Sequence, residues 1–244
     1  MSHHKIEAQN IKYTYPDGNP AINDVSFLIT HGESVGIIGA NGAGKSTLLM
    51  LLMGVIFPSQ GEIVIGDIKM TKKTLASIRQ HLGFVFQNPD DQLFMNTVYD
   101  DVAFGPRNYG LDESETEKHV MESLEITGIA HLKNRPPYKI SGGEKRAAAI
   151  ASVLSMQPDI LIMDEPTSEL DPKARRRMIN LLKSFTHTKM IASHDMDMIY
   201  DVCDKVIVIK DGSIKANGDT KSIVTDLELM DDCGLEIPLF MQGC

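Results

Sequence analysis

The chain has 244 residues, 42% of them hydrophobic and 23% charged, which is ordinary globular usage with length for one α/β domain or two small ones; this excludes a disordered or fibrous chain. A formal net charge of −9 gives a field that repels nucleic-acid phosphates, so no nucleic acid is expected as partner. Three cysteines, Cys203, Cys233 and Cys244, are too few and too scattered for a disulfide framework and suit a reducing cytosol.

The polar start, with His3 and His4, lacks an apolar core and does not read as a signal peptide. Residues 34–40 (SVGIIGA) predict a buried strand and residues 46–54 a helix. The apolar run over 48–57 falls short of the roughly 18–20 residues that span a bilayer, so it reads as a buried helix with Met50 and Met53 as core fillers. Strands are expected at 61–67 and 82–87. Over 88–125 the sheet signal fades and helix signal rises, which points to a helical subdomain. Within it, 112–128 is polar with Val120, Leu124 and Ile126, and reads as an exposed helix. Further helices are expected at 143–156 and at 172–185, the latter with proline at its start, where a missing N–H costs little. Strands follow at 159–165, 189–193, 206–210 and 213–218. Strands alternating with helices argue for an α/β fold with a mostly parallel sheet. Arg175, Arg176 and Arg177 read as a solvated helix face, and the last residues, from Asp231, as a tail or docking element.

The run Gly39-Ala40-Asn41-Gly42-Ala43-Gly44-Lys45-Ser46-Thr47 fits G-x-x-x-x-G-K-[ST], with a strand before it and a helix after it. Glycines let the backbone turn its N–H groups inward around a phosphate, and the helix start adds partial positive charge. Lys45 can reach the β- and γ-phosphates as a mobile charge, and the Ser46 hydroxyl can ligate Mg²⁺. The apolar run 160–163 ends in Asp164 and Glu165. Ligands of open α/β sheets sit at the carboxyl ends of strands, so Asp164 is expected at the phosphate loop, holding Mg²⁺ directly or through water. Glu165 is placed to orient or deprotonate the water that attacks the γ-phosphorus. A second glycine motif, Ser141-Gly142-Gly143-Glu144, precedes a helix. Alone it reads as an N-capped helix; as an anion cradle it suits two chains arranged head to tail, each loop facing the other's nucleotide.

Taken together these residues resemble the nucleotide-binding subunit of ABC transporters, over residues 5 to about 225. The family's motifs stand in order: the phosphate loop, Gln87, the signature Ile140-Ser141-Gly142-Gly143-Glu144, the acidic strand, Ser168-Glu169-Leu170-Asp171, and His194. The resemblance implies a P-loop ABC-type ATPase domain with an N-terminal antiparallel β part, a helical signature subdomain at about 88–155, and a C-terminal tail at 226–244. It implies ATP and Mg²⁺ as ligands, with Gln87 linking Mg²⁺ to the membrane-facing segment. His194 would sense the γ-phosphate, Asp171 would couple two sites across a dimer, and Tyr15 would stack on adenine, with Tyr13 as its competitor. Ile140 replaces the usual leucine and Glu144 the usual glutamine; a carboxylate there opposes ATP unless it points away or is neutralised. The runs 87–94 and 99–107 further resemble ATPases of energy-coupling-factor importers. That implies a peripheral protein on the cytoplasmic face of the cell membrane, paired with a second ATPase subunit, identical or not, and with an integral membrane transporter subunit. The implied cargo is cobalt or nickel, with a vitamin as the alternative. The competing class is a soluble ABC-type ATPase of iron–sulfur assembly.

Overall fold

A computed structural model describes residues 5–242 of the chain; His3, His4 and Cys244 lie outside them. The chain divides into two units, one drawn from residues up to Leu82, Asp159–Glu165 and from Thr186 on, the other from Gly83–Pro158 and Pro166–Phe185. In chain order, the first unit contains β1 (Ile6–Thr14), β2 (Pro20–Ile29), β3 (Ser34–Ile38), α1 (Lys45–Leu52), β4 (Gln60–Ile65), β5 (Ile68–Lys69) and α2 (Leu75–His81). The second opens with β6 (Leu82–Val85) and continues through α3 (Val98–Asn108), α4 (Glu113–Ile126) and α5 (Gly142–Leu154). The chain then returns to the first unit for β7 (Ile160–Asp164) and adds α6 (Pro172–Ser184) to the second. It finishes in the first with β8 (Thr188–Ala192), α7 (Met196–Val202), β9 (Lys205–Lys210), β10 (Ser213–Asp219), α8 (Thr220–Val224) and α9 (Leu227–Asp232). No helix among the described residues is long and apolar enough to cross a membrane.

Two sheets build the first unit. The antiparallel one has the order β2-β1-β4-β5. Its first strand buries Ile6, Ala8 and Ile11, so the alternation slips by one residue after Ala8. The slip is a bulge at Asn10, whose φ of 48° lies in the left-handed region that asparagine tolerates. Period-two reading fails there, which is why β1 does not stand out in the sequence as a strand. In the other sheet β3 runs parallel to both β8 and β9, β7 parallel to β8, and β10 closes the edge antiparallel to β9. Every residue of β3, β7 and β8 is buried, as in a parallel sheet covered on both faces, with Ser34, Asp164, Thr188 and Lys189 the polar residues among them. Gly36 of β3 leaves room for α7: a Cβ there would lie 2.9 Å from Ile199 Cδ1. The order β3-β8-β7 sets three strand ends side by side, leading into the glycine loop, into Ser193-His194 and into Glu165.

Three sequence expectations are corrected. The helix expected over 46–54 runs from Lys45 to Leu52, short of its expected limit, and Gly54, expected to help end it, does so at φ 61°. Val55 is consequently exposed, and Met50 and Met53 are half-buried rather than core fillers. The helix over 112–128 is amphipathic rather than simply exposed: Val120 and Leu124, four apart, are fully buried while Ile126 faces solvent.

In the second unit α3, α4 and α5 pack together around these side chains. Pro106 sits inside α3 and cannot donate to the Val102 carbonyl one turn back. The buried Ser155 hydroxyl, at the end of α5, donates to that carbonyl instead, at 2.8 Å. In the first unit the tail is ordered by the Lys210–Asp232 ion pair at 2.8 Å and by the Tyr200 and Phe240 rings, 4.9 Å apart.

Candidate active site

The loop after β3 is tightly constrained. Gly42 and Gly44 take φ of 80° and 110°, which side chains disfavour. A Cβ on Gly39 would lie 2.3 Å from the Ile209 carbonyl oxygen, so only glycine fits there. Lys45, the first residue of α1, is buried and curls back to donate to the Gly39 carbonyl (2.7 Å) and the Ala40 carbonyl (3.1 Å). Burial pushes its ammonium down from the ordinary lysine value, while the nearby Glu165 and Asp164 carboxylates pull it back up. Asn41 and Gly42 are exposed at the tip, whereas Ala43 and Thr47 face inward. Thr47 shares a hydrogen bond of 2.9 Å with the Tyr15 hydroxyl. Tyr13 and Tyr15 stand edge to face, 5.1 Å apart, so both remain beside the loop.

Asp164 ends β7 and is buried. Its Oδ2 accepts a 3.0 Å hydrogen bond from Ser46 Oγ. The pair fits Mg²⁺: it offers oxygen donors only and leaves the remaining positions to phosphate and water, the coordination this ion prefers.

Glu165 is held from several sides. Its φ of 48° is strained for a residue with a Cβ, and its N–H donates to the Ala192 carbonyl at 2.8 Å. Its carboxylate accepts from Ser193 Oγ (2.9 Å) and from the His194 N–H (3.1 Å), and lies 2.8 Å from His194 Nδ1. The His194 ring is 66% exposed while the Glu165 side chain is 8% exposed, so the ring is open to solvent on the side away from the carboxylate. Ser193 was not foreseen; its only sequence signal is its place directly after the apolar run of β8.

Unit one therefore gathers Tyr15, the loop 39–47, Asp164, Glu165 and His194, and unit two carries the other candidates. Gln87 is exposed in the loop after β6. Its neighbour Phe86 is fixed by Arg146 of α5, which donates to the Phe86 carbonyl at 2.8 Å, and by Gln92, which accepts from the Phe86 N–H at 3.2 Å. Ser141 caps α5 and Gly142 opens it; a Cβ on Gly143 would lie 3.0 Å from that of Ala174. Glu144 completes a capping box with Ser141. Ser141 donors, then His131 and Arg177, hold its carboxyl below the usual range. Glu144 thus turns back on its own loop. Asp171 caps α6, accepting from the Lys173 and Ala174 N–H groups at 2.9 Å each, and those bonds hold its carboxyl low.

Comparison with known proteins identifies the family. A family model described as ABC transporter matches residues 22–168. The chain is 54% identical to an ABC transporter ATP-binding protein of Geobacter sulfurreducens, covering 100% of this chain and 98% of that one. It is 44% identical to the energy-coupling factor transporter ATP-binding protein EcfA of Methanothermobacter thermautotrophicus, covering 96% of this chain and 76% of the relative. Among solved structures it is similar to cbiO1 of Clostridium perfringens, part of the ABC transporter complex cbiONQ, with a TM-score of 0.84 and 38% identity over 95% of this chain and 94% of that one.

Proposed function

Because the chain belongs to the ABC transporter family, whose ATPase domains bind and hydrolyse ATP with Mg²⁺, we propose that it is the motor subunit of an energy-coupling-factor importer. The observation that carries this reading is the meeting of two pairs at neighbouring strand ends: Ser46 with Asp164, and Glu165 with His194. The first pair would hold Mg²⁺, which neutralises charge on the β- and γ-phosphates. The second pair acts on water. Glu165 orients it toward the γ-phosphorus and takes its proton, with Ser193 fixing the carboxylate. His194 turns its exposed ring to the γ-phosphate and returns to Glu165 once that phosphate has left. Lys45 exchanges the Gly39 and Ala40 carbonyls for phosphate oxygens.

Two ATPase subunits, identical or not, close head to tail on two ATP molecules. This chain offers Ser141, Gly142 and Gly143 to the other's γ-phosphate, Asp171 couples the two sites, and Gln87 ties nucleotide state to the membrane subunit. The pair holds while the triphosphate is intact and opens after cleavage. Similarity to EcfA over nearly the whole chain supports an importer over a soluble iron–sulfur assembly ATPase, as do the runs 87–94 and 99–107. The motor would sit on the cytoplasmic face of the cell membrane, and the cargo we assign is cobalt or nickel ahead of a vitamin. Co-purification from detergent-solubilised membranes, followed by radioactive cobalt uptake in cells carrying the complex, tests both levels. Capture of soluble scaffold proteins alone would refute the importer, and vitamin uptake without cobalt uptake would refute the cargo.

A further inference from the structure

Glu144 stands where the resembled family usually has glutamine, and at Ser141 the two side chains differ in kind. An ionised carboxylate only accepts hydrogen bonds, whereas a carboxamide also donates. Here one oxygen, Glu144 Oε2, accepts both the Ser141 N–H at 2.7 Å and the Ser141 O–H at 2.8 Å. The hydroxyl proton is thus consumed within the loop. An acceptor oxygen seated on an N–H and an O–H at a helix start is held as a phosphate oxygen would be. A glutamine in the same capping box could donate its N–H to Ser141 Oγ and leave the hydroxyl proton for an outside acceptor.

Glu144 has somewhere to go. It lines a cavity of about 450 Å³ within unit two, whose wall also carries His131 and Arg177, with Ala147 and Ala174 as apolar lining. A guanidinium and an imidazole facing the same space form a seat for a displaced carboxylate.

We infer that Glu144 is a latch on the signature serine: it competes with the partner copy's γ-phosphate for the Ser141 hydroxyl, and Arg177 and His131 are positioning residues that receive its carboxylate when nucleotide arrives. This rests on the proposed reading in which Ser141 of one copy meets the ATP of the other. The device would set how much ATP is needed to close the pair.

The test is an ATP titration of the full chain's ATPase, with KM and kcat read separately. Glu144→Gln, which preserves the capping box, lowers half-saturating ATP about tenfold, roughly one hydrogen bond to a charged group, with the effect falling on KM more than on kcat. Arg177→Ala raises half-saturating ATP several-fold, Arg177→Lys restores it by keeping the charge, and neither matters once Glu144→Gln is present. Unchanged half-saturation in Glu144→Gln, with Ser141→Ala still impaired, overturns the latch and leaves the Ser141 reading intact. An equal loss from Arg177→Ala in both backgrounds overturns the role given to Arg177. Indifference to Ser141→Ala overturns the underlying reading and the latch with it.

Discussion

Glu165 sits at φ 48° with its carboxylate pinned by a serine hydroxyl, a backbone N–H and an imidazole. A strained backbone of this kind costs on the order of 1–3 kcal/mol and persists only where the surroundings over-determine it. Glu165→Gln keeps the size and most of the hydrogen bonds but loses the proton acceptor. Turnover should fall by about 100-fold or more while ATP affinity stays within about twofold, read from phosphate release and equilibrium ATP binding. Near-normal turnover would remove Glu165 from the assigned role. Lys45→Ala should weaken ATP binding by about tenfold or more, since it deletes a buried cation directed at the loop; unchanged affinity would contradict the loop's function. Lys45, Ser46 and Asp164 were legible in the sequence because fixed spacing and a strand end locate them. Ser193 was not, because its partner Glu165 lies 28 residues away and only the pairing of β7 with β8 brings the two together.

At the scale of elements, single side chains decide where helices start and how they close. Ser155 replaces the donor that Pro106 removes from α3, and it is fully buried. Ser155→Ala should therefore lower stability by about 1–3 kcal/mol in urea unfolding, the usual cost of a buried polar group left without its partner. A loss under about 0.5 kcal/mol would show that the Val102 carbonyl finds another donor. Two capping carboxylates give unit two an acid limit. Glu144 and Asp171 are both held below their ordinary values of 4.5 and 3.8, so their contribution is present above those values and is lost as pH falls through the depressed ones. Stability should decline as pH falls below the ordinary carboxylate range, and the double variant Glu144→Gln, Asp171→Asn should flatten that limb in denaturant titrations. An unchanged limb would assign acid sensitivity to other carboxylates. The helix starting at 142 could be read from its cap and the one at 172 from its leading proline, whereas α3 and β1 could not. Pro106 interrupts the helical pattern of α3, and the bulge at Asn10 interrupts the alternation of β1.

For the whole molecule, charge and motif placement decide how copies associate. Each copy carries −9, so two copies repel one another unless something specific joins them. The loop 39–47 belongs to one unit and the signature 141–144 to the other; in the proposed pair the first is the nucleotide seat and the second the lid on the neighbour's. In the proposed pair the joining element is the triphosphate with its Mg²⁺, held until Glu165 promotes cleavage. The Glu165→Gln chain should therefore run as a monomer without nucleotide and as a dimer with Mg·ATP in light scattering, and should return to monomer with Mg·ADP. Adding Lys45→Ala should abolish the dimer by removing the nucleotide, and adding Ser141→Arg should abolish it while ATP still binds, because only the neighbour's half of the cradle is blocked. A dimer that forms without nucleotide would show that phosphate does not control association. A monomer under every condition would show that two copies of this chain do not close on one another.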